Sequence, residues 1–575
     1  MIPAGIISRV QSRARTIALV FLLIAVLATP RLLGISQFAT IDEPYWLTAG
    51  ADFYYALGQR DFVHTVYDYH PAVITMWIVT AAMLLYFPGY RGLGQGYFDV
   101  YKDSLENFLL THSRTPVGLL TAGRLIQTAL ILILLLAVFW FLKKLLGGKA
   151  AAVGTLLVSF DPFFLGHSRL LNHEGLMSLL VIVSLLSLLA YFFVDKKWSY
   201  LLISGAAAGS AQLVKSSAAI LLPVIGLLFI LDWWTRRRGD LLTSFLSTLA
   251  PVAAWIAILA LVYVLLWPGM WVAPGRMLSE VFGNAISYAT EGARLSAAPA
   301  GAPVTFQPRL GDIALYLQSV LWRTTPVVWL GAALALVSLF RQHRIQRIVL
   351  MSLILVGALF IILFGLASGR NSAHYVLTSY VTLDILAGAG FVAAANWLEG
   401  RQPKAVRGAL PVLFLGAAIA IQAVSAVPFF PYYYTYYNPI MEAREPGLQD
   451  PNFGYGEGLD LAAAYLRQMP AAADSTVMAF YGRGPFSYFY PGTTEPLKPV
   501  YADAENVPQL QQILRKSDYL VIYYALEKGR DSPSNVMRAL QTALPEKSIW
   551  LDGIEYIRIY SLRNMPPDFF DQLWP

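Results

Sequence analysis

Two adjacent carboxylates, Asp42 and Glu43, stand in the stretch Ala39-Thr40-Ile41-Asp42-Glu43-Pro44-Tyr45-Trp46. They follow an apolar run by about ten residues, and a carboxylate beside a membrane core is costly unless something offsets it. A general base that takes a proton from a hydroxyl or amine needs a carboxylate at the edge of a water-limited cleft, and this pair fits that description. The structural alternative is that Asp42 caps a helix starting near Pro44, and both roles can hold at once.

Other stretches carry ionisable groups in a chain where such groups are scarce. Tyr67-Asp68-Tyr69-His70-Pro71-Ala72 puts His70 just before a helix start, where the first amides and the dipole favour a phosphate. A solvated loop histidine beside Asp68 is the plain alternative. Asp161-Pro162 to Glu174-Gly175 reads as a short outer loop holding His167, Arg169, His173 and Glu174. Arg169 suits a phosphate and Glu174 a second active carboxylate. The histidines with Glu174 match no strong metal spacing, and an ordinary wet loop with an Arg169–Glu174 pair remains open. Lys215, in Gln212-Leu213-Val214-Lys215-Ser216-Ser217, lines a cleft or, the favoured reading, snorkels to an interface. Arg370 and His374 are four apart in Gly369-Arg370-Asn371-Ser372-Ala373-His374-Tyr375, on one face of a helix or its entry turn. Arg suits bidentate phosphate binding, with interface anchoring as the alternative. The aromatic run Tyr432 to Tyr437 reads first as an interfacial belt, and secondly as a surface on which a sugar stacks.

These groups must be held by membrane elements. Of 575 residues, 57% are hydrophobic and 13% charged, about half the charge of a soluble protein. The fold expected is a polytopic α-helical membrane protein. Cys is absent, which excludes disulfides and thiolate chemistry. The net charge of +7 comes from short basic runs between apolar spans, a mark of cytoplasmic loops rather than of nucleic-acid binding. No cleavable signal peptide is evident.

About eleven runs approach the ~20 residues that cross a bilayer: 16–33, 117–142, 150–166, 175–194, 199–214, 217–234, 242–267, 322–340, 348–368, 375–396 and 408–430. With these spans, Arg9/Arg13/Arg15, Lys143/Lys144/Lys149, Lys196/Lys197, Arg236–Arg238, Arg341/Arg344/Arg347 and Arg401/Lys404/Arg407 all fall on one side, the cytoplasm. Asp42, 167–174, 268–321, 370–374 and the C-terminal part fall outside. The apolar stretch 71–88 would break this charge rule if it spanned. It is therefore expected as a helix lying in the outer interface, within a first outer loop 34–116. Residues 1–430 form the membrane domain. Residues 431–575 show β-like runs at 476–481, 519–524 and 554–560, with helices at 457–468 and 533–543, so a small α/β outer domain is expected. No internal repeat is visible, which weighs against inverted-repeat transporters.

The motifs occur in a recognisable order. The acidic pair after span one comes first, then the His-Pro start of an interfacial helix, then Asp-Pro…His-Ser-Arg…Glu-Gly. Leu213-Val214-Lys215-Ser216-Ser217 to Pro223 and Arg370-Asn371-Ser372-Ala373-His374-Tyr375 follow. In this order, over roughly 16–430, the chain resembles glycosyltransferase family 39 of the GT-C superfamily. That family includes protein O-mannosyltransferases and bacterial transferases of aminoarabinose to lipid A. The resemblance implies inverting transfer of a monosaccharide from a polyprenyl phosphate to a protein, lipid or glycan acceptor on the outer face of the cytoplasmic membrane. It implies Asp42 as base, Glu43 as its neighbour and His70 next to the lipid phosphate. Pro71-Ala72 replaces a double Pro, and Glu174 stands where Asp is usual. The segment 89–115 looks inserted.

The site expected is therefore Asp42, Glu43 and Glu174 as catalytic residues. His70, Arg169, His167, Lys215, Arg370 and His374 would bind substrate. No cofactor is expected, and a divalent metal is compatible but not required. No P-loop motif is present. Partners are the lipid-linked donor, an unidentified acceptor and the bilayer, with no nucleic acid. Competing readings are a non-enzymatic flippase of lipid-linked sugars, which would put charges in mid-span, and a lipid-linked oligosaccharide ligase or polymerase.

Overall fold

The computed structural model describes residues 4–68, 70–236, 241–291, 310–367, 372–401, 408–444, 454–497, 507–528, 534–563, 565 and 569–572. Helix dominates. In chain order the helices of the membrane part are α1 (Ala4–Leu32), α2 (Glu43–Gln59), α3 (Val73–Tyr86), α4 (Ser104–Thr111), α5 (Pro116–Leu146), α6 (Gly148–Phe160), α7 (Pro162–Ser168), α8 (Glu174–Phe193), α9 (Trp198–Val214) and α10 (Leu221–Arg236). Then come α11 (Leu241–Leu266), the short α12 (Gly269–Val272), α13 (Pro274–Leu278) and α14 (Asn284–Glu291), α15 (Leu310–Arg323), α16 (Pro326–Ser338), α17 (Arg344–Leu366), α18 (Leu377–Gly400) and α19 (Ala409–Ala426).

Among the described residues, seven helices are long and apolar enough to cross a membrane, and two bent pairs would raise this to nine. The chain is a multi-pass membrane protein. One bent pair is α6–α7, turning by 71°. The bend has a local cause: Pro162 starts the new helix, and the Asp161 carboxylate accepts from the Phe164 amide at 2.7 Å. The expected spans 16–33 and 199–214 are helices too: the first is the apolar part, Ile17–Leu32, of the 29-residue α1, and the second is the 17-residue α9. α3 has 14 residues, so at about 1.5 Å per residue it reaches only ~21 Å, too short for a hydrocarbon core of ~30 Å.

The centre of the bundle is α8, apolar on all sides and buried over 94% of its best span window. It packs on α5, α9 and α18. α18 in turn lies close against α6 and α16, because small residues face each other. A Cβ on Gly388 would come within 2.5 Å of the Gly154 Cα. Asp384, buried in α18, is a charge-bearing group within a span that the reading of the spans overlooked.

The C-terminal part folds on a five-stranded mixed sheet, order β2-β1-β3-β5-β4. The strands are β1 (Thr476–Phe480), β2 (Thr493–Leu497), β3 (Tyr519–Ile522), β4 (Lys547–Leu551) and β5 (Ile554–Ser561). β2 and β3 run parallel to β1, whereas β5 is antiparallel to both β3 and β4. The three strand runs read from the sequence are β1, β3 and β5. β2 and β4 were not foreseen. The β4–β5 turn is Asp552-Gly553, both at positive φ, the two-residue hairpin that matches strand twist. The expected helices appear shorter, as Leu459–Leu466 and Asn535–Ala539.

Candidate active site

A cavity of about 1210 Å³ lies where α2, α8, the segment 100–110 and the sheet domain meet. Asp42, His70, Glu174, Lys215 and His374 all line it, so five of the nine expected residues come together. Asp42 sits at the N-cap of α2 with Pro44 following, yet its side chain makes no cap hydrogen bond. The backbone there is held from outside the helix, by the Ile41 amide donating to the Tyr455 carbonyl at 3.1 Å.

On the opposite wall, Lys215 Nζ donates to Glu174 Oε1. The ammonium also lies 4.3 Å from the Tyr375 ring centroid. Lys215 is 2% exposed, so it does not snorkel to an interface; it is buried and charge-paired at the cavity edge. Glu174 Oε2 has no hydrogen-bond partner. A second, apolar cavity of about 230 Å³, lined by Ile220, Leu363 and Phe364, shares His70, Lys215 and Tyr375 with the main one. The main cavity's cationic end thus opens onto an apolar groove.

Three expected residues are elsewhere. Glu43 does not line the cavity. Its two oxygens take Arg124 Nε at 2.7 Å and Nη2 at 2.5 Å, the Thr40 amide at 2.8 Å and the Leu171 amide at 2.8 Å. Both oxygens are taken by groups of the protein and Glu43 is not among the cavity's lining residues, so the expectation for it is corrected to a structural tie. Arg169 is corrected likewise. Its guanidinium donates to the Leu33 carbonyl and, at 3.2 Å, to the Pro431 carbonyl, and lies over Phe38 and Tyr433. It pins the exit of α1 to the chain after α19 and does not line the main cavity. Nor does it pair with Glu174. His167, its Nδ1 3.0 Å from Asn172 Nδ2, is buried in a small cavity with Arg323 and Glu457, which shares His374 and Tyr455 with the main one. Arg370 lies outside the described residues. The stretch 161–175 is no wet loop, since His167 and Arg169 are each 1% exposed. The tyrosines 432–434, 436 and 437 are buried as well, so they form no lipid-facing belt.

The structure brings in His173, which the sequence weighed only as part of a metal spacing, and further residues that the sequence did not single out. His173 lines the cavity, its Nδ1 2.9 Å from Thr75 Oγ1 and its ring 4.2 Å from that of Trp46. Burial, with Lys215 nearby, lowers its pKa to about 3, so it is neutral. Tyr455 Oη lies 3.0 Å from His374 Nε2. From the sheet domain, Arg483 donates to the Val100 carbonyl at 2.6 Å and to Thr48 Oγ1 at 3.1 Å. Ser487 Oγ donates to Glu106 Oε2 at 2.9 Å, and burial pushes that carboxyl up to about 7. The segment 89–115 is therefore a cavity wall clamped by the outer domain. No short-range motif signals this, because the partners are some 380 positions apart. Among the described residues, no group of three or more His, Asp or Glu side chains could hold a metal.

Residues 118–267 match the model of the dolichyl-phosphate-mannose-protein mannosyltransferase family. A comparison with curated proteins finds no match. Among solved structures, ArnT from Cupriavidus metallidurans bound to undecaprenyl phosphate aligns with a TM-score of 0.50 at 12% identity, over 94% of this chain and 98% of that one. Its apo form aligns at 0.49 and 13% identity, over 95% and 98%. The oligosaccharyltransferase AglB from Archaeoglobus fulgidus, in complex with an inhibitory peptide and a dolichol-phosphate, aligns at 0.43 and 12% identity, over 95% and 75%. The chain therefore has an ArnT-like fold and, by its match over 118–267, is similar to the mannosyltransferase family, which bears out the resemblance to glycosyltransferase family 39.

Proposed function

We propose that the protein is a glycosyltransferase that moves one sugar from a polyprenyl phosphate to an acceptor on the outer face of the cytoplasmic membrane, with its N-terminus in the cytoplasm. The observation that carries this reading is the junction of the two cavities. One end of the polar cavity presents His70 and Lys215, and the apolar groove leaves from those same residues. A lipid phosphate fits at such a junction, with its chain in the groove and its sugar in the cavity.

Asp42 then serves as general base. The acceptor oxygen attacks the anomeric carbon as Asp42 takes its proton. The bond between that carbon and the phosphate oxygen breaks, and the electron pair leaves on polyprenyl phosphate. Attack opposite the leaving group inverts the anomeric centre. Lys215 and His70 stabilise the phosphate charge as it develops. Glu174 holds Lys215 in place, and Glu43 fixes the turn that presents Asp42. Asp42→Asn in the purified protein should cut sugar transfer from a polyprenyl-phosphate donor about 10²–10⁴-fold. Near-normal turnover by a folded variant defeats the assignment.

A further inference from the structure

A further cavity, of about 510 Å³, shares no lining residue with the main one and falls within the range of roughly 300–1,000 Å³ that small-molecule sites occupy. It is placed between the outer ends of α1 and α19, beneath the β4–β5 hairpin. Gln37 borders it after α1, and Pro428–Pro431 border it after α19. Both helices lead to it with exposed apolar stripes. On α1 these are Leu19, Phe21 and Leu22, and on α19 they are Leu413, Ile421 and Val424. In a membrane protein such stripes face lipid.

The lining is not apolar throughout. Arg467 borders the cavity, and its guanidinium carries no hydrogen bond or ion pair among the described residues. Asp552, at the hairpin tip, is exposed and borders it too. Trp550, on the hairpin and 59% exposed, borders it as well. Asp460 also lines the cavity but already accepts from Tyr432 Oη at 2.6 Å, so one cation, one further anion and an aromatic face at a membrane border remain, and they select against a ligand of a single charge. They complement a headgroup with both signs: a phosphodiester for Arg467, and an ammonium for Asp552 and the indole.

We propose that this cavity holds the headgroup of a zwitterionic aminoalkyl phospholipid, its acyl chains lying along the apolar stripes of α1 and α19. The test uses the full chain in nanodiscs of equal phosphatidylethanolamine and phosphatidylglycerol, with lipids retained by the protein read by native mass spectrometry. The expected result is an enrichment of phosphatidylethanolamine by about fivefold, falling to parity in Arg467→Ser and in Asp552→Asn. Either variant suffices if the other does not fold. Equal retention of the two lipids overturns the proposal. So does enrichment of phosphatidylglycerol, which would show a plain anion site at Arg467. Enrichment that survives in a folded variant also overturns it, by placing the lipid elsewhere.

Discussion

Arg124 grips Glu43 through two nitrogens, with the carboxylate fully enclosed and the guanidinium 1% exposed. The acidic pair is thus divided by one residue of rotation: Asp42 faces the cavity and Glu43 faces the bundle. Removing one partner of such a buried pair leaves an uncompensated charge. Arg124→Ala should therefore lose roughly 3–5 kcal/mol of stability, seen as a lower melting temperature in detergent. Glu43→Gln keeps part of the hydrogen bonding but leaves the Arg124 guanidinium buried without its counter-charge, so it should lower the melting temperature as well.

Lys215 and Glu174 allow a sharper separation of structure from binding. In the double variant Lys215→Met/Glu174→Gln no charge is left unpaired, so folding should hold. If Lys215 meets the lipid phosphate, donor KM should rise about tenfold, the equivalent of ~1.4 kcal/mol. Unchanged KM would make the pair a structural tie only.

Gly484 takes φ +84, and a Cβ there would lie 2.1 Å from the Pro44 Cγ. This is where the sheet domain rests on the first turn of the helix that follows Asp42. Gly484→Ala should cost at least ~1–2 kcal/mol from the backbone alone. It should also loosen that contact, read as faster proteolysis between the membrane part and the sheet domain and a lower turnover.

The clamp on segment 89–115 should depend on pH. Burial raises the Glu106 carboxyl to about 7, and raises Asp52, which accepts from the Phe98 amide, to about 7 as well. An acid raised on folding stabilises the folded state below its unfolded value near 4.5, and that contribution is lost as pH climbs through about 7. Melting temperature should therefore fall between about pH 5 and 8, by the equivalent of ~1–3 kcal/mol per group. Glu106→Gln should flatten the Glu106 share, and an unchanged slope would defeat this assignment.

Composition and apolar run length alone showed a polytopic helical bundle, because a span must satisfy its backbone within itself and its length is set by the bilayer. The alternation of β1, β3 and β5 with helices was legible for a similar reason: side-chain periodicity is a local property. β2, with Pro496 in a polar run, and β4 lack that signal. The sequence also marked Asp42, His70, Glu174, Lys215 and His374 as ionisable groups in an apolar chain, and the fold gathers these five. It could not say that Glu43 turns inward onto Arg124, that Arg169 is spent on two carbonyls, or that Arg483 and Glu106 join the outer domain to segment 89–115. Those outcomes depend on which distant groups arrive beside each charge. Desolvation leaves a buried charge only the partners that packing brings, and packing is decided in three dimensions.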